Sequence, residues 1–143
     1  MQIPEGTIIA LDIGERRVGV AEAHSIARIA HPLKTLAHTV TIFDDIAEIV
    51  AKHDVVAVVA GLPRGMNGQN TAQTHYVENF VFDLKKRIDV PIYWQDEALT
   101  SRKAEAELEA RKKSYTKDDV DMLAATYILD DFLQQGTGIG VLA

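Results

Sequence analysis

Residues Val55 to Ala60 read VVAVVA, an unbroken apolar run rich in β-branched valine and without the alternation of a half-exposed strand. A strand of this composition is covered on both faces, as the central strands of parallel sheets are, so the chain must place helices above and below a sheet. Thr7 to Leu11 forms a second apolar run that ends at Asp12, and Gly14-Glu15-Arg16-Arg17 separates it from Val18 to Ala23, the pattern of a hairpin. A third extended piece is expected between Ala27 and Leu36, interrupted by Pro32.

From Thr41 the period becomes helical. Ile42, Ile46, Ile49 and Val50 share a stripe, and Thr41 followed by Asp44 predicts a capped helix to about Lys52. Gly61-Leu62-Pro63 should end the central strand, and the polar loop from Arg64 to Asn70 should lead into a helix from about Thr71 to Ile88. Pro91 opens another strand, Ile92 to Gln95, which delivers Asp96 and Glu97 at its end. Ser101 to Arg111 reads as a charged surface helix, and Thr116 with Asp119 caps a last helix to about Gln135. The expected order is βββαβαβαα: an α/β fold with a mixed five-stranded sheet and helices on both faces. Residues 1–135 are expected to form one domain, followed by a flexible glycine-rich tail over 136–143.

Composition narrows the chemistry. The chain has no cysteine, which excludes disulfides, zinc-thiolate sites and cysteine nucleophiles, and any metal must bind oxygen or imidazole. No apolar run reaches the roughly 18 to 20 residues of a membrane span, and MQIPEGTII lacks the layout of a signal peptide, so a cytoplasmic protein without a membrane partner is expected. The net charge of -6 speaks mildly against non-specific nucleic-acid binding, but basic residues cluster at Arg16-Arg17, Lys85-Lys86-Arg87, Arg102-Lys103 and Arg111-Lys112-Lys113, so a local basic face stays open. The five histidines form no His-x-x-x-His pair, and no Gly-x-Ser-x-Gly elbow is present.

In sheets with parallel central strands, ligands bind beyond the carboxyl ends of those strands, so Asp12, Gly61 and Asp96-Glu97 should converge on one edge. Asp12, taken alone, reads as a turn-initiating residue, and Glu97 could equally cap the following helix. Asp121 is more telling. Ala124, Ala125 and Ile128 follow it at helical spacing, which puts its carboxylate on the face the last helix buries. A buried carboxylate costs several kcal/mol unless protonated, paired or coordinated. Two or three acids brought together repel unless a cation neutralises them, and oxygen-only ligation suits two Mg²⁺ or Mn²⁺ ions of the kind that cleave phosphodiesters.

Four blocks, LDIGERRVGVA, VVAGLPRGMNGQNTAQ, YWQDEALTSRKAEAEL and VDMLAATYIL, resemble in order and spacing those of the YqgF family, also called the RuvX or Holliday-junction-resolvase-like family, over nearly the whole chain. The resemblance implies a ribonuclease H-like fold and a nuclease that trims the 5′ end of precursor 16S ribosomal RNA. It places the family's strand-one aspartate on Asp12, its later acidic residue on Glu97 and its last-helix aspartate on Asp121. Arg64, Asn67 and Gly68 would form the loop beside the site, where backbone N–H groups and Arg64 meet a phosphate. Ala98 stands where the family usually has arginine, with Arg64 or Arg102 to compensate.

Other readings stay open at this point. Resolution of four-way DNA junctions asks for a homodimer presenting two sites, whereas an RNA nuclease can act as a monomer. A non-catalytic nucleic-acid or ribosome-assembly factor fits the acidic charge and Ala98. An actin-like ATP-binding module, suggested by Asp12-Ile13-Gly14, needs two such halves and a longer chain.

Overall fold

The computed structural model describes residues 3–97, 100–111, 114–135 and 141–143, with the side chains of residues 100–102 left aside. The elements are β1 (Thr7–Ile13), β2 (Arg17–His24), β3 (His31–Ala37), α1 (Ile42–Lys52), β4 (Val55–Pro63), α2 (Ala72–Leu84), β5 (Ile92–Glu97), α3 (Thr100–Ala110), α4 (Lys117–Gln134) and β6 (Val141–Leu142). The sheet order is β3-β2-β1-β4-β5-β6, with β1, β4 and β5 parallel and the outer pairings antiparallel. It is a mixed α/β sheet as expected, with six strands in place of five. The sixth comes from the expected tail, where Val141 and Leu142 pair with Trp94 and Tyr93.

The two faces of the sheet are built from different residues. Ile9, Leu11 and Ile13 of β1, Val18 and Val20 of β2, and Val58 and Leu62 of β4 pack against Ile42, Ile46 and Ile49 of α1 and Val77, Phe80, Val81 and Leu84 of α2. Each large aliphatic buried there contributes about 1.5–3 kcal/mol. The opposite face is paved with Ala10, Ala21, Ala23 and Ala57, on which α4 lies through Ala125, Ile128, Leu129 and Phe132. Small side chains under this helix bring its axis close to the strands.

Several boundaries differ from the sequence expectation. β4 continues through Gly61 and Leu62 to Pro63 because β5 pairs with it to that point. β1 likewise runs on to Ile13, so Asp12 lies within the ladder, paired with Gly19. α2 ends at Leu84 instead of Ile88. The Thr41–Asp44 box does not form, since the Thr41 hydroxyl donates to Asp45 Oδ2 at 3.2 Å and caps no backbone N–H. The Thr116–Asp119 box does form and starts α4. Pro32 is tolerated because β3 is an edge strand whose register shifts beside it.

Candidate active site

Side-chain alternation sets the site. Asp12 shares a face of β1 with Ile8 and Ala10, so it points toward α4, and its cross-strand partner on β2 is Gly19. On the other side, Gly61 follows the Leu11–Ala60 pair. Both lateral neighbours of Asp12 are therefore glycines. A Cβ on Gly19 would lie 2.1 Å from the carbonyl oxygen of Asp121, and one on Gly61 would lie 2.4 Å from Ile128 Cδ1. Without a side chain at residue 19, α4 rests directly on β2 and sets Asp121 beside Asp12. The start of this helix is tied down further by Thr35, whose hydroxyl donates to the Asp118 carbonyl at 2.8 Å.

Asp12, Glu97, Asp121 and Arg64 line one cleft of about 550 Å³. Burial, and then the charge of Asp121, pushes the Asp12 carboxyl up to about 7. Glu97 ends β5, and burial followed by a hydrogen bond and charge from Asp131 pushes it up to about 8, with Lys103 acting in the opposite sense. Burial raises Asp121 as well, opposed by Arg17, whose Nε donates to Asp121 Oδ2 at 2.6 Å. Desolvation against a neighbouring carboxylate thus dominates the group.

The structure brings some expected residues together and leaves others out. Arg64 reaches the cleft while pairing with Asp96 at 3.3 Å and bonding Asn70. Asn67 and Gly68 are exposed and do not line it. Their amides are engaged locally, Asn67 N–H donating to Gln69 Oε1 and Gly68 N–H to the Gly65 carbonyl, so these two donors are not free for a phosphate. Ala98 and the side chain of Arg102 lie outside the described residues.

Gly61, expected at this edge, lines the cleft, whereas Arg17, Gly19, Gln73 and Asp131 are the residues that sequence reasoning did not single out. Gln73 lines the cleft and donates to the Ile13 carbonyl at 3.3 Å. Alternation carried a usable signal for two of them, because Arg17 and Gly19 lie two residues apart on the strand face that meets α4. Asp131 lies ten residues after Asp121 on one helix, about 80° around its axis, so spacing alone gave no signal that it belongs to the site.

The donor chemistry suits a hard divalent cation. Three carboxylates open on one cleft, and Glu97 Oε1 is buried without a hydrogen-bond partner among the described residues. As they stand, no three carboxylate or imidazole side chains among the described residues are gathered around one point. Arg17 engages Asp121 and Asp131 engages Glu97.

The chain is 38% identical over 131 residues to a candidate pre-16S rRNA nuclease of Gloeothece citriformis, covering 89% of this chain and 87% of that protein. It is 41% identical over 133 residues to the protein of the same name in Chloroflexus aggregans, covering 90% and 94%. Among solved structures, Thermus thermophilus RuvC in complex with a Holliday junction superposes with a TM-score of 0.60 at 15% identity, covering 96% of this chain and 99% of that one. The fowlpox virus resolvase gives a TM-score of 0.54 at 10% identity, covering 90% and 97%. These two share the fold, that of the ribonuclease H-like resolvases. The sequence model of the RuvX family, described as a Holliday junction resolvase, matches residues 6–135, and the chain belongs to that family.

Proposed function

We propose that this chain is a divalent-metal-dependent nuclease that processes the 5′ end of precursor 16S ribosomal RNA in the cytoplasm. The observation that carries the reading is the convergence of Asp12, Glu97 and Asp121 from β1, β5 and α4 on one cleft. Relatives named for that activity, matched over most of their length, supply the substrate. Among the described residues no helix is long and apolar enough to cross a membrane.

Asp12, Glu97 and Asp121 would hold Mg²⁺ or Mn²⁺, two ions matching the oxygen-only donor set. When bound, such ions polarise the scissile phosphate and activate the attacking water. Burial favours the protonated forms of Asp12 and Glu97 in the metal-free cleft, so a cation binding there would displace those protons, and would do so more readily as pH rises. Arg64 and Arg16, both lining the cleft, supply the positive charge that an acidic chain requires to meet a phosphate backbone. No side chain is needed as nucleophile.

The test is cleavage of precursor 16S RNA by the purified protein with Mg²⁺ or Mn²⁺, beside a four-way DNA junction. The expected result is metal-dependent cut RNA, abolished by Asp12→Asn. Cleavage unchanged in Asp12→Asn would remove the proposed site, and cleavage of the junction alone would move the substrate to DNA.

A further inference from the structure

The turn between β1 and β2, Gly14 to Arg16, lines the cleft beside Asp12. Gly14 N–H closes it by donating to the Arg17 carbonyl at 2.9 Å. Three carbonyls of this stretch are held from outside the cleft. That of Arg16 accepts from the His38 backbone N–H at 2.9 Å, which extends the β2–β3 pairing, and that of Ile13 accepts from Gln73 Nε2 at 3.3 Å. That of Gly14 lies 2.9 Å from Nδ1 of the His38 ring.

A carbonyl oxygen only accepts, so His38 Nδ1 carries the hydrogen of this bond. Tyr76 Oη, 3.2 Å from the same nitrogen, takes a second share of it. The imidazole stands edge-on to Phe80, with ring centroids 5.4 Å apart and planes at 82°, and Phe80 belongs to the core under α2. Packing therefore sets the plane of the ring. His38 itself does not line the cleft, and the proposed cleavage makes no use of it. The ring and Gln73 reach the turn from the sheet face covered by α1 and α2, whereas Asp12 stands on the face covered by α4. The Gly14–Glu15 peptide is trans, so its N–H points opposite to its carbonyl, away from His38 and toward the side on which the carboxylates open. Glu15 N–H meets no acceptor among the described residues. Burial and then the charge of Glu15 raise the Tyr76 hydroxyl, so the Glu15 carboxylate is felt on the α2 side while its N–H faces the other.

We propose that this turn is a phosphate subsite, in which Glu15 N–H and the Arg16 guanidinium hold one phosphate of a nucleic-acid strand, and that His38 is the positioning residue that keeps the N–H aimed at it. The proposal rests on the nucleic-acid reading of the cleft and names a backbone contact within it. A backbone N–H beside a guanidinium fixes the register of a strand without reading its sequence. Without the His38 donor the Gly14–Glu15 peptide is free to turn over, and a turned peptide shows the phosphate a carbonyl oxygen in place of an N–H.

The test follows binding of two labelled single strands of about twelve nucleotides by fluorescence anisotropy, with EDTA present to prevent turnover. One strand carries ordinary phosphates and the other uncharged methylphosphonate linkages. His38→Leu keeps apolar packing against Phe80 and loses the donor, and His38→Asn returns an N–H near the position of Nδ1. His38→Leu is expected to weaken the charged strand about tenfold, the low end for a hydrogen bond to a charged group, and to leave the neutral strand unchanged. His38→Asn should regain most of that loss. The ratio of the two affinities within one preparation does not depend on how much of it is folded, so a merely structural role leaves the ratio unmoved. With Mn²⁺ and precursor 16S RNA, His38→Leu should raise KM by a similar factor and change kcat little. Equal losses on both strands, no loss in His38→Leu, no recovery in His38→Asn, or a native chain that does not bind the charged strand overturns the subsite. A phosphate-selective loss without RNA cleavage by the native chain would end the nuclease reading and keep the subsite, whereas cleavage with KM unchanged in His38→Leu would do the reverse.

Discussion

Arg17 Nε lies 2.6 Å from Asp121 Oδ2, so the carboxylate that α4 delivers to the cleft is held by a cation from the protein itself. The pair is only partly exposed, with side-chain accessibilities of 30% and 16%. An ion pair so placed keeps most of its strength, unlike one fully in water. Arg17 both orients Asp121 and competes for it.

Replacing that arginine therefore has opposite effects on two measurements. Arg17→Gln removes a positive charge beside the site and frees Asp121 Oδ2. Mn²⁺ binding by calorimetry is expected to tighten about tenfold, a change of about 1.4 kcal/mol. Cleavage of precursor RNA at saturating Mn²⁺ is expected to fall, because Asp121 loses its fixed rotamer. Weaker Mn²⁺ binding would show that Arg17 supports the ligand geometry without competing for it.

The two glycines beside Asp12 differ in what a methyl group would strike. At Gly19 the obstacle is helix backbone, with Asp121 C at 2.4 Å and its oxygen at 2.1 Å, and backbone cannot rotate away. At Gly61 the obstacle is the end of the Ile128 side chain. Urea unfolding should show Gly19→Ala destabilised by about 3 kcal/mol and Gly61→Ala by about 1 kcal/mol, within the range for overpacking. Equal losses would mean that α4 can lift from β2 as easily as Ile128 changes rotamer.

This contrast also marks how far the site was legible in the sequence. The VVAVVA run announced a strand with two covered faces, and β4 is such a strand, between helices α1 and α2 on one side and α4 on the other. Asp121 was legible because Ala124, Ala125 and Ile128 fix which side of the helix is buried. Arg17 was not, because a strand residue next to Arg16 in a charged turn looks solvated until the partner strand and helix are placed. Gly19 acquires its meaning only from a helix about a hundred residues away in sequence. Sequence also misjudged where strands stop. Gly61-Leu62-Pro63 looks like a turn, but pairing with β5 as far as Pro63–Glu97 overrides that local preference.

Stability should fall as pH rises from mildly acidic values to neutrality. The Asp12 carboxyl sits at about 7 in the folded chain against an ordinary 3.8. Below the ordinary value both states are protonated and the group has no effect. Between the two values the unfolded chain ionises while the folded one does not, so stability declines, and above about 7 the loss is complete. The ceiling on this loss is about 4 kcal/mol. Asp12→Asn removes the titration, and with part of the ceiling realised it should raise the melting temperature without metal by about 5 °C at pH 8 while changing it little at pH 4. An equal effect at both pH values would show that the substitution acts through packing and not through the buried charge.

Divalent cations should reverse that loss. A cation held by Asp12, Glu97 and Asp121 binds the folded chain and not the unfolded one, so it stabilises by an amount set by its concentration relative to its dissociation constant, about 2.7 kcal/mol at a hundredfold excess. The gain depends on pH in the opposite direction to the apoprotein's stability, because ligation needs the ionised carboxyls that burial disfavours. Adding Mn²⁺ at pH 8 is therefore expected to raise the melting temperature by several degrees, the same addition at pH 5 should raise it much less, and Asp12→Asn and Glu97→Gln should each remove most of the pH 8 gain. Differential scanning calorimetry checks all three. A shift of the same size in Asp12→Asn would place the ion elsewhere on this acidic chain and separate the cleft from metal binding altogether.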